Sequence, residues 1–327
     1  MHLRKVPTIA IVVPCYNEEA ILPTTIPTLL TLLGDLSEAG LSSPNSFLLF
    51  VDDGSDDETW KQLKAATTAN SAKVKALRLC SNSGHQNALI AGLEYVTGKV
   101  DASVSLDADL QDDLDAVKVM VTEYMGGHEV VLGVRADRSS DTLVKRSTAA
   151  VFYRVMRLMG VDAVPQHADF RLLSAKAMAN LLRFQEYHLY LRGYPKLLHS
   201  QIATVSYRRR TRVAGETKYP LPKMIALAWN GITSFSVAPL RLISSLGAVV
   251  FVLAIILSLY AVIAWIFGAV VPGWASVTAP LYALGGMIML SLGIVGEYVG
   301  KIYMEVKQRP RYLVEEVEPK DDPESRS

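Results

Sequence analysis

Charge is absent from Leu242 to Gly296, 55 consecutive residues with no Asp, Glu, Lys, Arg or His. Few soluble cores contain so long an uncharged stretch, whereas a hydrocarbon layer of about 30 Å needs about 20 apolar residues per helical crossing. Cysteine is nearly missing as well. Cys15 and Cys80 cannot make a disulfide framework, and each closes a strand-like apolar run, so both are expected as reduced packing residues. Neither a G-x-G-x-x-G turn nor a Walker loop occurs, which argues against dinucleotide or ATP chemistry. Met1 to Pro7 is too short and too polar for a cleavable signal, so the N-terminal part should stay on the side of synthesis. A net charge of +1 says little by itself, and no nucleic-acid partner is read from it.

The uncharged stretch holds two spans, about 242–267 and 277–298, separated by Gly268 and Pro272-Gly273. A turn of that size makes a helical hairpin; a buried helical pair of a soluble protein is the alternative. Arg241 precedes the first span and Lys301, Lys307, Arg309 and Arg311 follow the second, while the loop between them has no cation. By the positive-inside rule both ends should face the cytoplasm, with Trp265 and Trp274 at interface depth. Upstream, 219–240 is semi-apolar with Trp229 and Phe235 and suits a helix lying in the headgroup layer. Charge is sorted along the chain: Arg192 to Lys223 has eight basic residues against Glu216, and the tail after Leu313 is mostly acidic.

Residues 1–218 read differently. Thr8 to Val13, Phe47 to Val51, Val74 to Leu79, Ala102 to Leu106 and Glu129 to Gly133 are short Val/Ile/Leu-rich runs, spaced by helix-period segments such as Ile21 to Leu36 and Asp57 to Ala69. Alternation of this kind predicts parallel strands with crossover helices. Ligands of such sheets collect beyond the carboxyl ends of the strands. There the sequence places Asn17 and Glu18, Asp52 and Asp53, Asn82 and Gly84, then Asp107 and Asp109.

Asp107-Ala-Asp109-Leu-Gln111 offers hard oxygen donors suited to Mg2+ or Mn2+, which would neutralise a diphosphate leaving group. Acidic pairs also occur at solvated turns, and Asp112 and Asp113 are expected only to start the next helix. In Val51-Asp-Asp-Gly-Ser-Asp56, Gly54 suits a turn, Asp56 a helix cap, and Asp53 an acceptor for a base imide N–H. Arg135, Arg138, Lys145 and Arg146 follow the last strand and are either a phosphate grip or solvated surface charge. Arg208 to Arg212 and Lys218 stand where anionic headgroups attract cations. His167, His188 and His199 lack metal-ligand spacing.

Pro14-Cys-Tyr-Asn-Glu, Val51-Asp-Asp-Gly-Ser, Asn82-x-Gly84, Asp107-Ala-Asp109-Leu-Gln, Asp169-Phe-Arg171-Leu and Gly215-Glu-Thr-Lys218-Tyr, in that order before a membrane hairpin, resemble the polyprenyl-phosphate glycosyltransferases of glycosyltransferase family 2. The likeness runs from Ile9 to about Tyr312, and bactoprenol glucosyltransferases have the same two-span layout. It implies a GT-A head, α/β with a mostly parallel Rossmann-like sheet. It implies a nucleotide-sugar donor bound by Pro14, Tyr16, Glu18, Asp53 and Asp107, and a metal held by Asp107, Asp109 and Gln111. Asp169 matches the position usually assigned as catalytic base, with Asp109 and Arg135 as further catalytic residues. Arg135, Arg138, Arg171 and Lys218 are the expected contacts of the acceptor phosphate. Ser81 and His85 stand where many relatives have Arg and Lys.

An acceptor phosphate monoester, with a second pKa of about 6, is already largely dianionic at neutral pH. Asp169 is therefore expected to orient Arg171 or the phosphate rather than to remove a proton, unless Asp169 and Arg171 are only a structural ion pair. The expected protein is an inner-membrane enzyme with head and termini in the cytoplasm: head 1–218, interfacial helix 219–240, hairpin 241–300 and tail 301–327. It would move glucose from UDP-glucose to polyprenyl (undecaprenyl) phosphate with inversion. Another sugar (mannose, N-acetylglucosamine or aminoarabinose) and a non-catalytic scaffold are the alternatives. A processive synthase is disfavoured because no Gln-x-x-Arg-Trp motif occurs. Small residues Gly285, Gly286, Gly293, Gly296 and Gly300 permit close helix contacts and so a homo-oligomer.

Overall fold

A computed structural model of the chain describes residues 4–135, 167–184, 186, 191, 201–207, 233, 236–267 and 273–319. The chain divides into two compact units. In the first, strands and helices alternate: β1 Ile9–Cys15, α1 Leu22–Glu38, β2 Phe47–Asp52, α2 Thr59–Ala69, β3 Val74–Leu79, α3 His85–Val96, β4 Ala102–Ser105, α4 Asp115–Met125 and β5 Val130–Arg135. The unit is completed by β6 His167–Ser174, α5 Ala175–Leu181, β7 Ile202–Tyr207 and β8 Val314–Glu318.

Every residue of β1 and β2 is buried, as expected of strands covered on both faces. The eight strands form one sheet in the order β7-β5-β6-β4-β1-β2-β3-β8. β1 pairs in parallel with β2 and β4, β2 with β3, and β5 with β7. On one face Ile11, Val13 and Phe50 pack with Leu29 and Leu33 of α1 and Met120 of α4. On the other, α3 lies close because Gly92 has no side chain: a Cβ there would meet Val12 Cγ1 at 2.4 Å and Val51 Cγ2 at 2.9 Å.

The five strands expected from apolar runs are present, and the head is a mixed, mostly parallel α/β sheet of GT-A type. Three strands carry no such run. β6 (HADFRLLS) has Asp and Arg inside it and runs antiparallel between β4 and β5. β7 is a short mixed segment. β8 (VEEVE) lies in what reads as tail and pairs antiparallel with β3, covering that strand's edge. Cys15 is buried as anticipated, whereas Cys80 is exposed because it follows the last residue of β3.

The second unit contains α6, Ala238–Ile266, and α7, Trp274–Val306. Tyr298 donates to the Ser236 carbonyl at 2.6 Å, tying the two helices together. Their most apolar windows have mean hydropathy 2.2 and 1.5 and are almost wholly exposed. Leu242, Phe251, Ile256, Leu259, Ile288 and Leu292 all face outward. Side chains this apolar all round suit helices surrounded by hydrocarbon, and both helices are long enough to cross a membrane. Most of the expected interfacial segment 219–240 lies outside the described residues, as do the side chains of Trp265 and Trp274.

Candidate active site

Strand pairing builds the site. β4 and β6 are antiparallel with Ser105 opposite Arg171, so the same register carried two residues further sets Asp107 opposite Asp169. Alternation along a strand puts Asp169 and Arg171 on one face. A third side chain joins them from α3: His85 Nε2 is 3.6 Å from Asp107 Oδ1 and 3.9 Å from Asp169 Oδ2. Burial pushes the Asp107 carboxyl above its ordinary value; the His85 side chain opposes this, and Asp112, Asp169 and Asp109 add to it. The crevice therefore concentrates negative charge.

The acidic loop is shaped by its backbone. Leu110 has φ +48°, a left-handed conformation uncommon for a residue with a bulky side chain and most often kept where function requires it. Thr25 of α1 donates to the Ala108 carbonyl at 2.8 Å, anchoring the loop, and the Gln111 amide donates to Asp109 Oδ1 at 3.3 Å. Asp109 is exposed, Asp107 half-buried and Gln111 buried. Asp112 does more than start a helix: it is buried and accepts the Tyr207 hydroxyl at 2.6 Å, linking the loop to β7. Asp113 serves the turn, accepting the Asp115 amide at 3.3 Å. Among the described residues no three His, Cys, Asp or Glu side chains already surround one cation position. Asp107 and Asp109 nonetheless suit Mg2+ or Mn2+, because Mg2+ is usually held by one or two carboxylates and keeps several waters.

The first two strand ends make a second cluster. Asp53 accepts the Ser83 amide at 2.7 Å and the Gly84 amide at 2.9 Å, one on each oxygen. Both oxygens thus hold the loop that delivers His85. Gly54, with φ +69°, is required where it stands, since a Cβ would meet the Ser81 carbonyl carbon at 2.6 Å. Ser55 Oγ accepts the Asn17 amide at 2.9 Å, and Thr59 Oγ1 accepts the Glu18 amide at 2.8 Å. Asn17 itself is left-handed, φ +55°, and its side chain accepts the Asp56 amide at 3.0 Å. The carboxylate at the start of α2 belongs to Asp57, which accepts the Thr59 amide at 2.9 Å; Asp56 does not cap it. Pro14 is buried and Tyr16 exposed beside this loop's strand end.

Arg171 differs from its expected place at an acceptor phosphate. It is 2% exposed and donates through Nη1 to the Leu191 carbonyl and through Nη2 to Asp169, both at 3.0 Å. Gln86 accepts the Leu191 amide at 3.2 Å, so α3 and β6 grip the same residue. An arginine so enclosed orients Asp169 and has no surface to offer a lipid phosphate. Arg135 contributes the last residue of β5, but its side chain lies outside the described residues, as do Arg138, Lys145, Arg146, Arg208 to Arg212 and Lys218. Sequence reasoning noted His85 only as a departure from relatives and did not assign it to the site; its position directly after Gly84 was the available signal.

The chain has relatives along almost its whole length. Residues 10–182 match the model of glycosyl transferase family 2, and residues 238–302 match the GtrB C-terminal hairpin. The uncharacterized glycosyltransferase YkoT of Bacillus subtilis is 44% identical over 94% of this chain and 91% of its own. The prophage bactoprenol glucosyl transferase homolog of Escherichia coli is 34% identical, covering 94% and 99%, and the bactoprenol glucosyl transferase of Shigella phage SfX 34%, covering 94% and 98%. A solved glucosyl-3-phosphoglycerate synthase of Mycobacterium tuberculosis is 20% identical with a TM-score of 0.43, covering 69% of this chain and 78% of that one, too loose a likeness to carry a ligand across.

Proposed function

The chain belongs to glycosyltransferase family 2, and from that premise we propose that it transfers glucose from UDP-glucose to a polyprenyl phosphate at the cytoplasmic face of the membrane. The observation that carries this reading is the meeting of Asp107, Asp169 and His85 at the β4 and β6 strand ends, in a chain that also has an apolar hairpin. Relatives named for bactoprenol glucosyl transfer support the choice of sugar and lipid.

The acceptor phosphate oxygen attacks the anomeric carbon as the bond to the donor diphosphate breaks, and the electron pair leaves with the diphosphate. A single displacement inverts the anomeric centre and needs no covalent enzyme intermediate. Since the phosphate is already dianionic, Asp169 acts by orientation, fixed in turn by buried Arg171. Asp107 and Asp109 would hold Mg2+ or Mn2+, which stabilises the charge developing on the departing diphosphate. Tyr16, Glu18, Pro14 and the Asp53 loop form the donor side, while Arg135, Arg138 and Lys218 are assigned to the acceptor phosphate.

Flanking charge supports the cytoplasmic side. β7 precedes the hairpin in the chain and β8 follows it, and both strands belong to the one sheet. Arg241, Lys301 and Lys307 flank the hairpin, which favours the cytoplasm. The test is transfer in detergent with UDP-glucose and undecaprenyl phosphate, followed by mass analysis of the lipid. A product heavier by one hexose is expected. Faster turnover of a phosphate lacking a lipid tail, or normal turnover by Asp107→Asn/Asp109→Asn, would sink the proposal.

A further inference from the structure

The strand that follows the membrane hairpin does more than cover an edge. Arg78 of β3 has Asp52 of β2 as its register partner on one side and Glu316 of β8 on the other. Its Nε lies 3.3 Å from Asp52 Oδ2 and 3.4 Å from Glu315 Oε2, and its Nη2 donates to the Ser55 carbonyl at 3.4 Å. Asp52 is completely buried, with its other oxygen accepting the Ser55 amide at 3.2 Å. A carboxylate removed from water in this way needs a cation beside it. Glu316 adds a second tie, accepting from Trp60 Nε1 at 3.1 Å and from Lys64 Nζ at 2.7 Å on α2. Arg78 and α2 together bracket the 52–59 loop.

That loop holds the first strand end in turn. Its Ser55 and Thr59 hydroxyls accept the Asn17 and Glu18 amides, and its Gly54 rests on the backbone of Ser81 and Asn82. Three glutamates of β8 stand next to Arg78 and Lys64. We propose that β8 is a working part of the donor site, and that Arg78, held between Glu315 and Asp52, is a positioning residue for the nucleotide. The inference rests on the reading that Glu18 and the Asp53 loop bind a nucleoside diphosphate sugar. It assigns donor affinity partly to residues that come after the membrane hairpin.

The test uses the full chain in detergent, with UDP titrated calorimetrically and transfer kinetics measured for both substrates. Arg78→Gln should weaken UDP binding and raise the donor KM about tenfold, as expected for loss of a charged hydrogen-bond partner. Glu315→Gln, at a half-exposed position, should do so about threefold. Arg78→Lys should recover part of the loss and the acceptor KM should not move; Arg78→Gln, which leaves the buried Asp52 carboxylate without its cation, should melt lower, whereas Glu315→Gln should melt near the wild type. Unchanged UDP affinity in folded Arg78→Gln and Glu315→Gln overturns the inference, as does an equal loss for donor and acceptor together with a lowered melting temperature. If Arg78→Gln does not fold, Glu315→Gln decides by the same readouts. A wild-type protein that fails to bind UDP would instead refute the function proposed above and remove the basis of this inference with it.

Discussion

Replacing Arg171 by Met separates the two roles that the sequence leaves open for this arginine. Met keeps much of the volume but removes two hydrogen bonds at 3.0 Å, one to Asp169 and one to the Leu191 carbonyl. Arg171 is 2% and Asp169 14% exposed, so solvent screens the pair little. Taking one partner from a buried ion pair costs about 3–5 kcal/mol, chiefly because the remaining charge is left uncompensated. Asp169 would then be free to shift, and a misplacement of about 1 Å is worth about a hundredfold in rate. The expected result is a lower melting temperature and a kcat reduced about a hundredfold with little change in acceptor KM. Adding Asp169→Asn should restore part of the stability, since no lone carboxylate remains, with a coupling of about 1–3 kcal/mol in the double-mutant cycle. Thermal unfolding in detergent and steady-state transfer kinetics measure both quantities. A variant that kept its kcat and melting temperature but needed far more polyprenyl phosphate would show Arg171 to be an acceptor contact, and the orienting role would be wrong.

Other expectations follow from neighbouring residues. Asp109→Asn, or treatment of the wild type with EDTA, should lower transfer at least about a hundredfold, and undiminished turnover under either condition speaks against the cation. Asp169→Asn should lose activity uniformly from pH 6 to 9; recovery at high pH would reveal a proton-removing role. Gly54→Ala should weaken UDP binding and cost about 2–4 kcal/mol, combining a left-handed backbone with a contact of 2.6 Å to main chain, and a melting curve like that of the wild type contradicts it. Asp57 gives a pH-dependent case: burial is the largest single influence and raises its carboxyl, but the hydrogen bonds from Thr59 and Glu19 together outweigh it and hold the carboxyl below its ordinary value. Its contribution is therefore present above the unfolded value of about 4 and lost as pH falls through the lower folded value. Asp57→Ala should cost about 1 kcal/mol at pH 7, with the gap to wild type closing in acid; a gap that widens in acid excludes the assignment.

Much of the molecule is written locally. Apolar runs such as Ile9 to Val13 and Phe47 to Val51 announce covered strands, and 55 residues without charge leave two long helices few options besides a membrane. Motifs at the ends of those strands mark the acidic loop and the Asp53 loop, because strand ends in such sheets are where ligands gather. Local pattern stops there. β6 and β8 contain the charges that usually mark surface, and they are strands only because β4, β5 and β3 offer edges to pair with. Antiparallel insertion of β6 brings Asp169 opposite Asp107, 62 positions away in the chain, and encloses Arg171. The fate of Arg171 is the clearest case. Its side chain is equally suited to gripping a phosphate or completing a buried pair, and the choice depends on whether water reaches it. The chain itself determined the five apolar strands, the hairpin and the acidic loop, since each follows from neighbours a few positions apart. Only the folded sheet decided which distant carboxylates meet, because hydrogen-bonded register joins residues without regard to their separation in sequence.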